Sequence, residues 1–230
     1  VSTQPPRPSQ PPQPPSQPSS QPSLTERRKA ATQLDIARAA AELFAERGPD
    51  GTTAEEIAGR AGVALRTFYR YFRNKQDAVA PLLAGGADEW RAHLAELDPA
   101  AGVPTALEQS IADALTAADD RAAEAMERTR GLLRAAQDDP ALRAVWYRVN
   151  QESEEQLVPV LARLAGDGAD ALDVRLAAAA ATDAIRLALE TWATTDAPTD
   201  GPGSPAALAV RCLRELAGGL RLLDTGRPAR

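Results

Sequence analysis

Residues 53 to 75 read Thr-Ala-Glu-Glu-Ile-Ala-Gly-Arg-Ala-Gly-Val-Ala-Leu-Arg-Thr-Phe-Tyr-Arg-Tyr-Phe-Arg-Asn-Lys, and the spacing inside this stretch decides how the rest of the chain is read. Thr53 stands where an N-cap should, and Glu56 three residues later completes a capping box. Ile57, Ala58 and Ala61 recur at helical spacing, so one face of this first short helix is apolar. Gly62 follows where a helix is best stopped by a left-handed residue. Val63 and Phe68 are placed to close a small core between this helix and the next, and Phe72 to anchor the end of the second. What remains on the second helix is Arg66, Tyr69, Arg70 and Arg73, a cationic face with no internal partner. Two short amphipathic helices around a glycine also occur as purely structural pairs. The run Phe68-Tyr69-Arg70-Tyr71-Phe72 favours another use, because phosphate and base contacts need tyrosines and arginines at this density and a structural helix does not. The pair is expected to lay its second helix in the major groove of DNA.

In order and spacing, the pattern Thr53, Ile57-Ala58, Ala61-Gly62-Val63, Tyr69, Tyr71-Phe72 and Lys75 resembles the TetR family of bacterial repressors, with the likeness specific over residues 30 to 80. The resemblance implies an all-α fold of nine helices: a three-helix DNA-binding head and a six-helix body that binds an effector and dimerises. In the head, Leu65, Arg66, Thr67, Tyr69, Arg70 and Tyr71 are expected to face DNA. Arg66 is the candidate base reader, since a guanidinium matches the O6/N7 edge of guanine, and Leu65 is suited to rest on a thymine methyl. Thr67, Tyr69 and Tyr71 are expected at phosphates, as their family counterparts often are. Lys75 adds a cation beside a helix N-terminus, and Thr53 is placed to cap its helix and donate to phosphate together. Tyr71 could instead pack against the first helix, and Arg70 could pair with an acid such as Glu46.

Composition agrees with a helical chain. Of 230 residues 43% are hydrophobic but only 4% aromatic, so the core must be built largely from Ala, Leu and Val. The net charge of -6 argues at first against DNA, but its distribution does not. Residues 24 to 75 hold ten Lys/Arg against seven Asp/Glu, whereas residues 76 to 230 hold fifteen Arg against 25 acids. A basic head on an acidic body suits a protein that meets DNA at one end, with the body repelling the duplex and orienting the approach. Cys212 and His93 are single and far apart, so neither a disulfide nor a cysteine-based zinc site is expected. With no Gly-rich phosphate loop, metal cluster or catalytic His constellation, we expect no enzyme activity, no catalytic residues, no metal and no cofactor. No run approaches 18 apolar residues and no secretory h-region opens the chain, so a cytoplasmic protein without a membrane partner is expected, nucleoid-associated when DNA-bound.

Along the chain, residues 1 to 23 hold nine of the 19 prolines among Gln and Ser and predict a disordered tail. Residues 24 to 75 are expected to form the helix-turn-helix domain and 76 to 230 the effector-binding and dimerisation domain. Thr25 or Thr32 is suited to cap the first helix, Asn74 the fourth, Asp139-Pro140 the seventh and Ser204-Pro205 the ninth. Pro81 and Gly85-Gly86 predict a kink or break in the fourth helix.

In the body, Met126, Arg130, Leu133, Arg134, Trp146, Tyr147 and Asn150 fall on two central helices and are the candidate effector contacts. The arginines are placed to hold an anionic group; alternatively Trp146 is plain core and the arginines a solvated face. The segment 132–148, with Asp-Pro-Ala-Leu-Arg at its centre, also resembles TetR members that take acyl-CoA-like ligands, without assigning any residue. Leu176, Ala180, Ile185, Leu189 and Trp192, with Leu208, Leu213, Leu216 and Leu220, give the last two helices wide apolar faces. The resemblance makes these the homodimer interface, with close approach permitted by the small residues from Ala177 to Ala181. The expected function is thus a ligand-responsive regulator, a repressor, that binds a palindromic operator as a homodimer and is released by a small hydrophobic or acyl-like effector. The alternative is a nucleoid- or division-associated DNA-binding protein with no effector; a ligand-sized apolar cavity in the body separates the two.

Overall fold

The computed structural model describes residues 23–218, and these form nine α-helices with no strand among the described residues. In chain order they are α1 (Leu24–Arg47), α2 (Ala54–Arg60), α3 (Leu65–Tyr71), α4 (Ala80–Glu96), α5 (Val103–Ala114), α6 (Asp120–Asp138), α7 (Pro140–Ala165), α8 (Ala171–Ala193) and α9 (Pro205–Ala217). The Pro/Gln/Ser stretch up to residue 22, and Leu220, lie outside the described residues. The expected all-helical architecture of nine helices is what the described residues adopt.

Local chemistry sets most helix ends. Asp119, Asp139, Asp170 and Ser204 each accept hydrogen bonds from the first turn of α6, α7, α8 and α9. The start of α1 differs from expectation: Ser23, not Thr25 or Thr32, is its N-cap, in a capping box with Glu26. Ser23 therefore belongs to the folded head and not to the Pro-rich tail. Thr32 lies inside α1 and turns its hydroxyl back to the Arg28 carbonyl. The expected break in α4 is also absent. Asn74 does not cap α4 but accepts from the Asp77 N–H, where a single 3₁₀ turn, Asp77–Val79, begins, and Pro81 falls in the first turn of α4, where its missing N–H leaves no bond unmade. The helix then runs unbroken through Gly85 and Gly86 to Glu96.

One apolar core runs from Ile36 and Phe44 of α1, through Leu83, Trp90 and Leu94 of α4 and Leu157 and Leu161 of α7, to Leu213 of α9. Alanines let α8 pack closely: Ala177, Ala178, Ala181, Ala184 and Ala188 are all at 0% exposure. Their small side chains are thus used for packing inside the chain. Trp192 is likewise fully buried, its indole N–H donating to the Ala197 carbonyl at 2.9 Å, and Ala180 and Leu213 are buried.

The stretch that follows the head is pinned to the start of α7 and to its third turn. Gln76 donates to the Asp139 carboxylate at 2.8 Å, while Arg148 of α7 reaches Asp77 at 2.9 Å. Burial pushes the Asp139 carboxyl up, but the bonds from Gln76 and from the Leu142 and Ala141 N–H groups, with the charge of Lys75, outweigh it and hold the group below its ordinary range. A carboxylate depressed in this way stabilises the fold above its unfolded pKa, and that stability is lost as pH falls through the folded value. Asp139→Ala is therefore expected to cost about 1 kcal/mol at neutral pH, measured by denaturant unfolding, with the difference from the parent shrinking below the carboxylate range. A difference that persists unchanged into strong acid would show that the charge plays no part.

Candidate functional site

The turn between α2 and α3 is built as a full C-terminal cap. Gly62 lies at φ +68°, the Val63 N–H reaches back to the Ala58 carbonyl at 2.9 Å, and the Gly62 N–H reaches Gly59 at 3.1 Å. This pair of bonds closes the last turn of α2 and sends the chain directly into α3. Phe68 is wholly buried and Phe72 nearly so, their ring centroids 5.7 Å apart, which fixes the inner side of α3. The helix's other side is thereby turned outward. Arg66 is exposed and has no partner among the described residues; Tyr69 is 55% exposed, standing edge-on to Phe68.

The remaining head residues are more committed. Arg70 donates to the Tyr71 hydroxyl at 3.1 Å and lies over its ring, 4.8 Å from the centroid. It does not pair with Glu46, which binds Arg60 of α2 at 3.0 Å and is held below its usual carboxylate range by that hydrogen bond. Leu65 and Tyr71 are half-buried against the core, and Thr67 is half-buried. Thr53 caps α2 as expected, with its hydroxyl also 2.9 Å from the Glu56 carboxylate, so a phosphate would compete with Glu56 for that proton. Lys75 extends its ammonium to the Thr52 carbonyl at 3.0 Å. Thr52 is itself buried and tied to the Gly48 carbonyl.

In the body, a cavity of about 570 Å³ opens between α1, α4, α6, α7 and α8. It brings together Met126, Trp146 and Asn150 from the expected set. Arg130, Leu133, Arg134 and Tyr147 are not in its wall, and helical period is the reason. The face of α6 that meets the cavity carries Ala122, Ala125, Met126, Thr129 and Leu132, and that of α7 carries Trp146, Val149, Asn150 and Ser153. Arg130 and Arg134 lie on the flank of α6 and bind the segment after α8. Arg130 stacks 3.6 Å from the ring centroid of Trp192 and donates to the Ala197 carbonyl. Arg134 bonds the Ala193 carbonyl, the Thr195 carbonyl and Asp196. Neither is free to hold an anion in the cavity. Leu133 is core, and Tyr147 is half exposed beneath Arg186.

The wall contains residues that the sequence did not single out. Leu34 and Arg38 of α1, Trp90 of α4, Ser153 of α7 and Thr182 of α8 all contribute. Gly85 and Gly86 line it too, with no atom within 4 Å of where a side chain would begin. Ile185 and Leu189, expected at the dimer face, line the cavity instead. The signal that could have found the α6 and α7 residues is the 3.6-residue period itself. For the α8 set, apolar periodicity cannot say which neighbour a face will meet.

Of the expected interface, Leu176 and Leu216 are each 40% exposed and Leu208 is half-buried. Leu172, Leu176 and Leu187 share one outward side of α8. No helix among the described residues is long and apolar enough to cross a membrane.

Comparison with known proteins follows the same lines. A family model described as bacterial regulatory proteins, tetR family, matches residues 36–80. The HTH-type transcriptional regulator TcmR of Streptomyces glaucescens is 31% identical over 152 residues, 63% of this chain and 65% of its own length. The match thus falls just short of two thirds of that protein. The HTH-type transcriptional repressor KstR2 of Rhodococcus jostii is 36% identical over 61 residues, covering 26% of this chain and 30% of that protein. Among solved structures, that of Thermus thermophilus FadR, a TetR-family repressor in complex with lauroyl-CoA, superposes with a TM-score of 0.53. It is 24% identical and covers 86% of this chain and all of that one, a likeness of fold.

Proposed function

We propose, from its similarity to the TetR family of bacterial regulatory proteins, that this chain is a TetR-family regulator, a ligand-responsive transcriptional repressor acting as a homodimer on a palindromic operator. The head supplies the DNA contacts: Arg66 reads a base, and Tyr69, with Arg70 and Tyr71 behind it, meets the backbone. Thr53, Leu65, Thr67 and Lys75 position the head from its edges. Two heads are needed for two half-sites, and the outward leucines of α8 and α9 offer the surface on which a second copy would sit. The protein acts in the cytoplasm, on the nucleoid when bound.

The observation that carries the effector part is the cavity of about 570 Å³, within the range of small-molecule sites. A ligand-sized space of this kind supports the effector reading over that of a nucleoid- or division-associated protein with no effector. The position of the cavity supports the same reading, because its wall includes Leu34 and Arg38 from the head. A small hydrophobic or acyl-like molecule bound there would act on the placement of α1 and α4, and it shifts the DNA-binding state only by binding one placement more tightly than the other.

The test is selection of binding sites from random DNA followed by footprinting. We expect an enriched inverted repeat, protected on two half-sites separated by whole or near-whole helical turns, with two chains per duplex by sedimentation. Enrichment of no sequence, or of a single half-site bound by one chain, would sink the operator reading.

A further inference from the structure

Resting on the reading of the body cavity as an effector site, we propose that its ligand is an uncharged, largely apolar molecule carrying an oxygen that hydrogen-bonds to the hydroxyl of Thr182. Two independent observations lead there. The first is the charge pattern of the wall. Arg38, Glu89, Asp119, Arg121 and Arg128 are the charged residues that touch the cavity, and every one is exposed to solvent. The buried part of the wall is Leu83, Trp90, Leu132, Trp146, Val149 and Leu189 with small polar groups between them. A carboxylate or ammonium carried into that interior would lose its hydration with no opposite charge to meet it.

The second observation is an orphan. Thr182 is 6% exposed, and its hydroxyl is buried without any hydrogen-bond partner. A threonine in a helix ordinarily turns its hydroxyl back to a carbonyl one turn earlier, as Thr32 and Thr129 do in this chain. Leaving a buried hydroxyl unpaired is costly, and such a group in a native fold calls for an explanation. Thr182 belongs to the cavity wall. The bond from the Trp146 indole to Glu190, at 2.8 Å, fixes the antiparallel register of α7 and α8. Seven residues along each helix from that pair, Ser153 comes level with the turn that carries Thr182. Asn150, between them on α7, uses its amide on the Trp146 carbonyl at 2.9 Å and leaves its oxygen uncommitted. The buried polar side chains of the wall, Ser153 and Thr182, with half-buried Asn150 beside them, thus offer hydroxyl and amide groups and no charge, which suit an alcohol or a ketone.

Gly85 and Gly86 supply the apolar counterpart. With no side chain and open space before them, they let a flat ring lie against the backbone of α4.

Three matched probes test the assignment on the full chain by equilibrium dialysis at pH 7: fluorene, 9-fluorenol and fluorene-9-carboxylate. We expect 9-fluorenol to bind about tenfold more tightly than fluorene, as one buried hydrogen bond allows, and the carboxylate to bind at least as weakly as fluorene. Thr182→Val keeps the shape and removes the hydroxyl. It should abolish the preference for 9-fluorenol, leave fluorene unchanged and not lower thermal stability, whereas Thr182→Ser should retain the preference. A preference that survives Thr182→Val, or a carboxylate bound as tightly as the alcohol, overturns the proposal while leaving the effector cavity standing. If none of the three binds, the cavity reading itself falls and this assignment falls with it.

Discussion

Phe68→Ala is expected to lower the stability of the protein by about 3–5 kcal/mol, the range for emptying a buried phenylalanine site, and to abolish recognition of the operator. Phe68 has no exposed surface and sits where α1, α2 and α3 converge. Its ring packs on Phe72 at 5.7 Å and meets Tyr69 edge-on at 5.3 Å between centroids. Within a helix of seven residues, it is the single fully buried side chain holding α3 to the head. Removing it frees the recognition helix to rotate, so DNA binding fails even where the body stays folded. Denaturant unfolding and DNA titration on the same preparation check both halves. Tyr69→Ala is the control, because that ring is more than half exposed and should leave stability nearly unchanged. A Phe68→Ala protein of parental stability would mean that α3 is not anchored as described.

Arg66→Ala is expected to act on recognition alone. The side chain is exposed and has no partner among the described residues, so nothing inside the fold depends on it. On its specific site the change should cost about 1–3 kcal/mol and relax the preference at one base pair, the signature of a lost bidentate contact to guanine. Affinity for unrelated DNA should fall far less. The pattern comes from comparing the substituted protein with the parent on a panel of single-base operator variants. An unchanged preference at every position would remove Arg66 from the base-reading role.

How far the sequence carried the argument depends on the range over which each residue acts. The head was legible because its signals are local: Thr53 to Glu56, Gly62 to Gly59 and Phe68 to Phe72 all act within one or two turns. Asp139 and Ser204 marked the starts of α7 and α9 for the same reason. The cap of α1 was missed because Ser23 adjoins a proline-rich run and reads as part of it, though Ser23 and Glu26 have the spacing of a capping box. Pro81 was misread because a proline in the first turn of a helix and one in its middle look alike until the helix start is known. In the body, Arg130 and Arg134 lie within one turn of true wall residues, yet their partners are 59 to 67 residues away at Ala193, Asp196 and Ala197. Such long-range hydrogen bonds leave no local mark. The same holds for Ile185 and Leu189, whose apolar side chains fit a dimer face and a cavity equally well, and for Thr182, which shows itself only through a bond it fails to make.

The presence of Leu34 and Arg38 in the cavity wall has a thermodynamic corollary. These two residues lie on α1, whose later turns carry the head. Occupancy of the cavity and docking of the head therefore draw on one shared set of contacts, and their free energies cannot vary separately. By linkage, whatever factor the effector takes from operator affinity, the operator must take from effector affinity. The duplex is then as much an antagonist of the small molecule as the small molecule is of the duplex. A chain sitting on its operator would answer only to a higher effector concentration than a free one. On this reading, the threshold of response is set by the DNA as well as by the protein.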